Sequence, residues 1–105
     1  MKIIWKYKIP ARPKFQIEMP LGAKILTLQL QQGEPVLWAL VNPKANPIAR
    51  YFQVFETGIA FEGELEYVGT FQLSPASPLA GWDDIPGGQI IDAGESRVFH
   101  VFEDI

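Results

Sequence analysis

A period of two runs through this chain and constrains it more than any other feature. In KIIWKYKI (2–9), Ile3, Trp5, Tyr7 and Ile9 fall on one side, while Lys2, Ile4, Lys6 and Lys8 fall on the other. That is the alternation of a half-buried strand. FQIEM (15–19) repeats it, and KILTLQLQQ (24–32) sets Leu26, Leu28 and Leu30 against Thr27, Gln29 and Gln31. RYFQVFE (50–56), YVGTFQL (67–73) and VFHVFE (98–103) follow, with Gly69 marking a bulge or a close backbone approach. VLWALV (36–41) is apolar on both sides, which predicts a central strand covered on both faces. Prolines and glycines punctuate these runs, and Gln32-Gly33-Glu34-Pro35 has the chemistry of a tight turn.

Seven short strands and no amphipathic helix of ten residues predict an all-β fold: a single small antiparallel β-sandwich or partly open barrel. Short helical turns are expected only around Glu62–Glu66 or Leu79–Asp84. The expected core is Trp5, Ile17, Leu28, Trp38, Leu40, Phe55, Phe71, Phe99 and Val101. The sequence reads as free of internal repeats. Its 105 residues make one domain, 1–105.

The long irregular loop before the last strand, at about 74–97, stands apart, with a short strand at Gln89–Ile91 as its one regular candidate. It holds Trp82, Asp83, Asp84 and Ile85 among prolines and glycines. A tryptophan there serves to dock the loop, on its own sheet, on a sister subunit or on a target. Hence Trp82, Asp83, Asp84 and Ile85 are the candidate interface residues. Loops of this length without regular structure tend to be functional or disordered, and the apolar content of this one argues against disorder. An ordered, interface-forming insertion should be removable without unfolding the sheet.

Charge is divided unequally. Residues 1–17 carry Lys2, Lys6, Lys8, Arg12 and Lys14 and no acid, whereas the rest of the chain holds the other four bases and all twelve acids. No whole-chain basic field for duplex nucleic acid exists. A local patch of Lys2, Lys6, Lys8 and Arg12 is the candidate site for an anionic ligand, weighed against a merely solvated strand face. The absence of cysteine excludes disulfides and thiol chemistry. The one histidine, His100, reads as a packed strand residue, and paired acids such as Asp83-Asp84 read as solubilising. No catalytic, metal or cofactor motif stands out, so a non-enzymatic binding protein is expected. The amino terminus lacks the apolar core of a signal peptide, and no run is long enough to span a membrane; the expectation is a cytosolic protein.

The segments IWKYKI, IEMPLGAKILTLQLQQGEPVLWALVNP, RYFQVFETG, YVGTFQL and VFHVFE, in this order, resemble a family of small bacteriophage proteins grouped as a domain of unknown function. Against that pattern, residues 74–97 look inserted. The resemblance implies a phage gene expressed in the host bacterial cytoplasm and brings no catalytic residues with it. Three classes of function follow. The first is a host-takeover or anti-defence factor that binds a host defence protein or sequesters a small anionic immune signalling nucleotide. A virion structural or assembly protein is the second, and an enzyme of unknown type the third. An apolar content of 48% in so small a chain also points to a homo-oligomer.

Overall fold

The structure, a computed structural model, describes residues 1–74, 81–82, 85–86 and 96–105. Seven strands follow in chain order: β1 (Ile3–Lys8), β2 (Lys14–Pro20), β3 (Lys24–Gln31), β4 (Glu34–Val41), β5 (Pro47–Glu56), β6 (Leu65–Leu73) and β7 (Arg97–Asp104). They form two antiparallel sheets, three-stranded β1-β4-β3 and four-stranded β2-β5-β7-β6. The fold is all-β, an open sandwich rather than a closed barrel. Residues Glu62–Glu64 are irregular instead of helical, with a bend at Gly63 (φ 102°), and β6 begins at Leu65. The candidate strand Gln89–Ile91 lies outside the described residues.

Turn chemistry sets the hairpin. Gln31 pairs with Glu34, so Gln32-Gly33 is a two-residue loop, and both residues have positive φ (52° and 81°). That is a type I′ turn, whose twist matches the flanking strands. Pro20-Leu21-Gly22 instead carries the chain from one sheet to the other; Gly22 has φ 83° and the Ala23 N–H donates to the Pro20 carbonyl at 3.0 Å.

The core lies between the inner faces. Leu28, Leu37, Ala39 and Val41 of the three-stranded sheet meet Phe15, Met19, Phe52, Val54, Phe71, Phe99 and Val101 of the four-stranded one. Leu28, Phe71, Phe99 and Val101 are therefore core residues as expected, and Ile17 packs against them partly buried. Trp38 and Leu40 are only half-buried, as is Phe55, and Trp5 is exposed. In VLWALV both parities are apolar, and the smaller set, Leu37, Ala39 and Val41, faces the core. The strand is central, and on its other parity Val36 is buried while Trp38 and Leu40 are not fully covered. Alternation reveals that a strand has two faces without saying which is buried when both are apolar.

Gly69 is both a bulge and a close approach. The β6–β7 register shifts between Tyr67 and Gly69, and a Cβ at Gly69 would stand 2.8 Å from the Leu28 Cβ of the opposite sheet.

The two central strands of the larger sheet carry one heptapeptide twice, Arg50-Tyr-Phe-Gln-Val-Phe-Glu56 and Arg97-Val-Phe-His-Val-Phe-Glu103. This corrects the reading of a repeat-free sequence. The copies pair antiparallel about Val54↔Val101, with Phe52 opposite Glu103 and Glu56 opposite Phe99. Each arginine consequently reaches the glutamate diagonal to it on the other copy. Arg50 donates from Nε (2.5 Å) and Nη2 (2.7 Å) to the Glu103 carboxylate, and Arg97 Nε donates to Glu56. These pairs close the two ends of the interlayer around an apolar centre.

Candidate binding surface

Among the described residues the first strand pairs only with β4 and is one edge of the three-stranded sheet, β3 being the other. Its outward backbone can be deduced. The Ile9 N–H donates to the Pro35 carbonyl at 3.1 Å, in register with Tyr7↔Leu37, Trp5↔Ala39 and Ile3↔Val41. Antiparallel ladders bond alternate residues, so the odd positions face β4. Ile4, Lys6 and Lys8 then turn their N–H and C=O groups to the open edge. Their side chains, one step round the pleat, stand on the outer face of the sheet with Trp38 and Leu40.

This edge is apolar as well as basic. Ile3 and Trp5, on the inner parity, are 45% and 38% exposed, and Ile4, on the outer face, is 56% exposed. Lys6 Nζ donates to Gln31 Oε1 across the sheet at 2.9 Å, and Lys8 stands 3.8 Å from the exposed Glu34 carboxylate. Such surface contacts contribute about 0–1 kcal/mol and are readily exchanged. Lys6 and Lys8 lie on β1, and Lys2 directly precedes it. Arg12 does not join them: it follows the crossover to the second sheet and lines a groove with Lys14.

Trp82 and Ile85 are placed in the protein's own core. The Trp82 ring, 4% exposed, meets Phe71 edge-on at 5.0 Å and lies 5.4 Å from Phe99. Arg97 fastens this segment: its Nη1 and Nη2 donate to the carbonyls of Trp82 (3.3 Å) and Ile85 (2.8 Å), and its guanidinium covers the Phe99 ring at 5.1 Å. Gly81, at φ 93°, fits against Ala11, where a Cβ would come within 2.9 Å of the alanine's. Asp83 and Asp84 lie outside the described residues.

Sequence reasoning missed the outer face of the four-stranded sheet. Phe55 and Phe61 stack at 4.2 Å, Phe102 packs on both, and Tyr67 meets Phe102 edge-on at 5.5 Å. His100 lies beside this cluster and joins three segments. Its Nε2 is 2.8 Å from the Thr57 hydroxyl and its Nδ1 2.9 Å from that of Thr70, which in turn is 2.6 Å from the Tyr67 hydroxyl. Both ring nitrogens are thus engaged by hydroxyls, which can donate or accept as the tautomer requires. The signal was available in the parity of Phe55, His100 and Phe102, which the alternation places together.

On the inner side, the Tyr7 hydroxyl is buried without a hydrogen-bond partner among the described residues, though the residue as a whole is only half-buried. Burial raises its pKa above the ordinary 10.0, and the nearby Arg50 charge partly offsets the rise. Arg50 is held more firmly protonated, chiefly by its hydrogen bond to Glu103. Among the described residues, no three His, Cys, Asp or Glu side chains gather as a metal site, and no helix is long and apolar enough to cross a membrane.

Residues 1–80 match the family described as a domain of unknown function (DUF7352). The match includes β1 to β6 and stops before β7. No curated protein and no solved structure matches the chain.

Proposed function

The chain belongs to the DUF7352 family, which assigns no activity, and we propose from its surfaces that it is a non-enzymatic protein that binds a partner stoichiometrically by strand addition at β1. The observation that carries this reading is the open edge of β1, where Ile4, Lys6 and Lys8 present backbone groups between exposed apolar side chains and lysines. Unpaired edges template another strand, and main-chain hydrogen bonds then supply affinity while alternate side chains supply specificity. The partner segment is extended and acidic on alternate positions, with apolar residues between to cover Ile3 and Trp5.

A second copy of the chain fits this edge poorly. Every antiparallel register of β1 on itself sets lysines from both copies on one face. Like charges placed directly across a strand pair are destabilising. A homo-oligomer, if formed, uses another surface. The resemblance to small bacteriophage proteins supports a more particular reading: a phage-encoded host-takeover or anti-defence factor that masks a host protein in the bacterial cytoplasm.

Selection of a random peptide library on the immobilised protein tests the edge. The expected consensus alternates acidic and apolar residues. Ile4→Pro removes an N–H that faces solvent, a change edge strands tolerate, and should abolish capture at an unchanged melting temperature. The pair Lys6→Glu and Lys8→Glu should reverse the charge preference, which keeps the test intact should Ile4→Pro disturb folding. A consensus indifferent to both changes, or no consensus, refutes the reading.

A further inference from the structure

A groove on the opposite sheet carries an inference independent of the β1 edge. It has a volume of about 460 Å³ and is lined by Arg12, Lys14, Gln16, Tyr51, Gln53 and Asp104, on the face of the sheet opposite the core rings of Phe15 and Phe52. The volume falls within the roughly 300–1,000 Å³ usual for small-molecule sites.

Its layout follows from register. Lys14 pairs with Gln53 and Gln16 with Tyr51. The Val54 N–H continues the ladder to the Pro13 carbonyl at 2.8 Å, so Arg12 shares the outward parity of Lys14 and Gln16. Three side chains of the β2 edge thus line up as two cations and an amide. Beside them, Tyr51 offers an exposed ring (53%). Among the described residues neither Arg12 nor Lys14 takes part in a salt bridge. Gln53 Nε2 donates to Asp104 Oδ1 at 2.9 Å, which orients that carboxylate at the far end of the groove from Arg12.

We infer that this groove binds a nucleotide, with the base on Tyr51 and the phosphate between Lys14 and Arg12. Four features fit that ligand. An exposed ring on a sheet offers a stacking platform for any base. The step from the Tyr51–Gln16 row to the Lys14–Gln53 row is about 7 Å along the strand, a separation that a ribose bridges. A guanidinium and an ammonium without a salt bridge among the described residues suit a phosphate. Asp104 would repel a phosphate at its own end, which fixes the polarity: it accepts from a ribose hydroxyl or a base amino group. The ligand class is a single nucleotide, since the cations stand on one strand rather than along a path across the sheet.

Heteronuclear NMR titration with AMP tests the site, with adenosine and inorganic phosphate as separate probes. AMP should shift the amides of residues 12, 14–16, 51–53 and 104 at millimolar concentration or below. Each fragment should bind more weakly than AMP. Tyr51→Ala should weaken AMP by about tenfold, the effect expected for one stacked base. The pair Arg12→Glu and Lys14→Glu should abolish binding, and both variants should keep the parent spectrum elsewhere because the side chains are exposed. No AMP shift at these amides overturns the inference. So does phosphate alone binding as tightly as AMP, or Tyr51→Ala leaving affinity unchanged. Ile4→Pro, which blocks the β1 edge, should leave AMP binding intact, so failure of one proposal is distinguishable from failure of the other.

Discussion

Replacing Arg97 by methionine separates its packing from its charge. Methionine keeps an unbranched apolar chain of similar length beside Phe99, while the guanidinium over that ring and the partner of Glu56 are lost. Glu56 has a side chain only 8% exposed, so its carboxylate remains in the interlayer without a counter-ion. Breaking a buried pair in this way costs about 3–5 kcal/mol. The carbonyls of Trp82 and Ile85 also lose their guanidinium donors, at about 1 kcal/mol each. A domain of this size has a total stability of about 5–15 kcal/mol, so the substitution removes a large share of it. At roughly 4–8 °C per kcal/mol, this total of about 5–7 kcal/mol should lower the melting temperature by at least about 20 °C. Urea unfolding followed by tryptophan fluorescence gives the free energy directly. The double variant Arg97→Met and Glu56→Leu should recover several kcal/mol relative to Arg97→Met alone, since the stranded charge is gone. A loss below about 1 kcal/mol in the single variant, or a double variant no more stable than the single, would refute the argument that this pair closes the interlayer.

Other consequences can be checked by the same unfolding measurements. Tyr7→Phe removes a buried hydroxyl that has no partner among the described residues and should stabilise by about 1 kcal/mol at neutral pH. The folded state holds the Tyr7 proton more tightly than the unfolded chain. Its contribution is therefore whole below pH 10.0 and is lost as pH rises through the higher folded value; Tyr7→Phe should lack that alkaline loss. Gly69→Ala drives a methyl group onto Leu28 and should destabilise by about 1–3 kcal/mol, with partial recovery in the pair Gly69→Ala and Leu28→Ala. Trp82→Ala should lower stability by about 3–5 kcal/mol, so replacing Pro75–Ala93 by a short linker should unfold the sheet, as read by circular dichroism, instead of leaving it intact.

The elements of the fold were legible because alternation and turn residues act locally. Gln32-Gly33 and Gly69 were readable for the same reason. The choice of buried face was not, as Trp38 and Leu40 show, since it depends on which sheet lies opposite. The pairing of Arg50 and Arg97 was not legible, because their glutamates are 53 and 41 residues away along the chain. Trp82 was legible as a docking residue but not in its destination, since own core, sister subunit and target make the same demand on composition. The lysines of β1 were plain from spacing. That Arg12 belongs with Lys14 and Tyr51 required the crossover that moves the chain between sheets after Ile9.

The heptapeptide repeat shows where specificity resides. Its inward positions hold arginine, phenylalanine, valine and glutamate in both copies, because the two strands pack about a local twofold axis and each must satisfy the other. The outward positions are free of that demand, and two of the three differ: Tyr51 against Val98, and Gln53 against His100. The differing residues do different work. Tyr51 and Gln53 line the groove, while His100 joins Thr57 and Thr70. Exchanging the outward residues of the first copy for those of the second, Tyr51→Val with Gln53→His, should therefore alter stability by no more than about 0.5 kcal/mol and remove AMP binding. The same exchange in the second copy, Val98→Tyr with His100→Gln, breaks the hydrogen bonds to both threonines and should leave AMP binding unchanged. Equal loss of binding from the two exchanges would mean that the groove depends on the sheet as a whole and not on Tyr51 and Gln53.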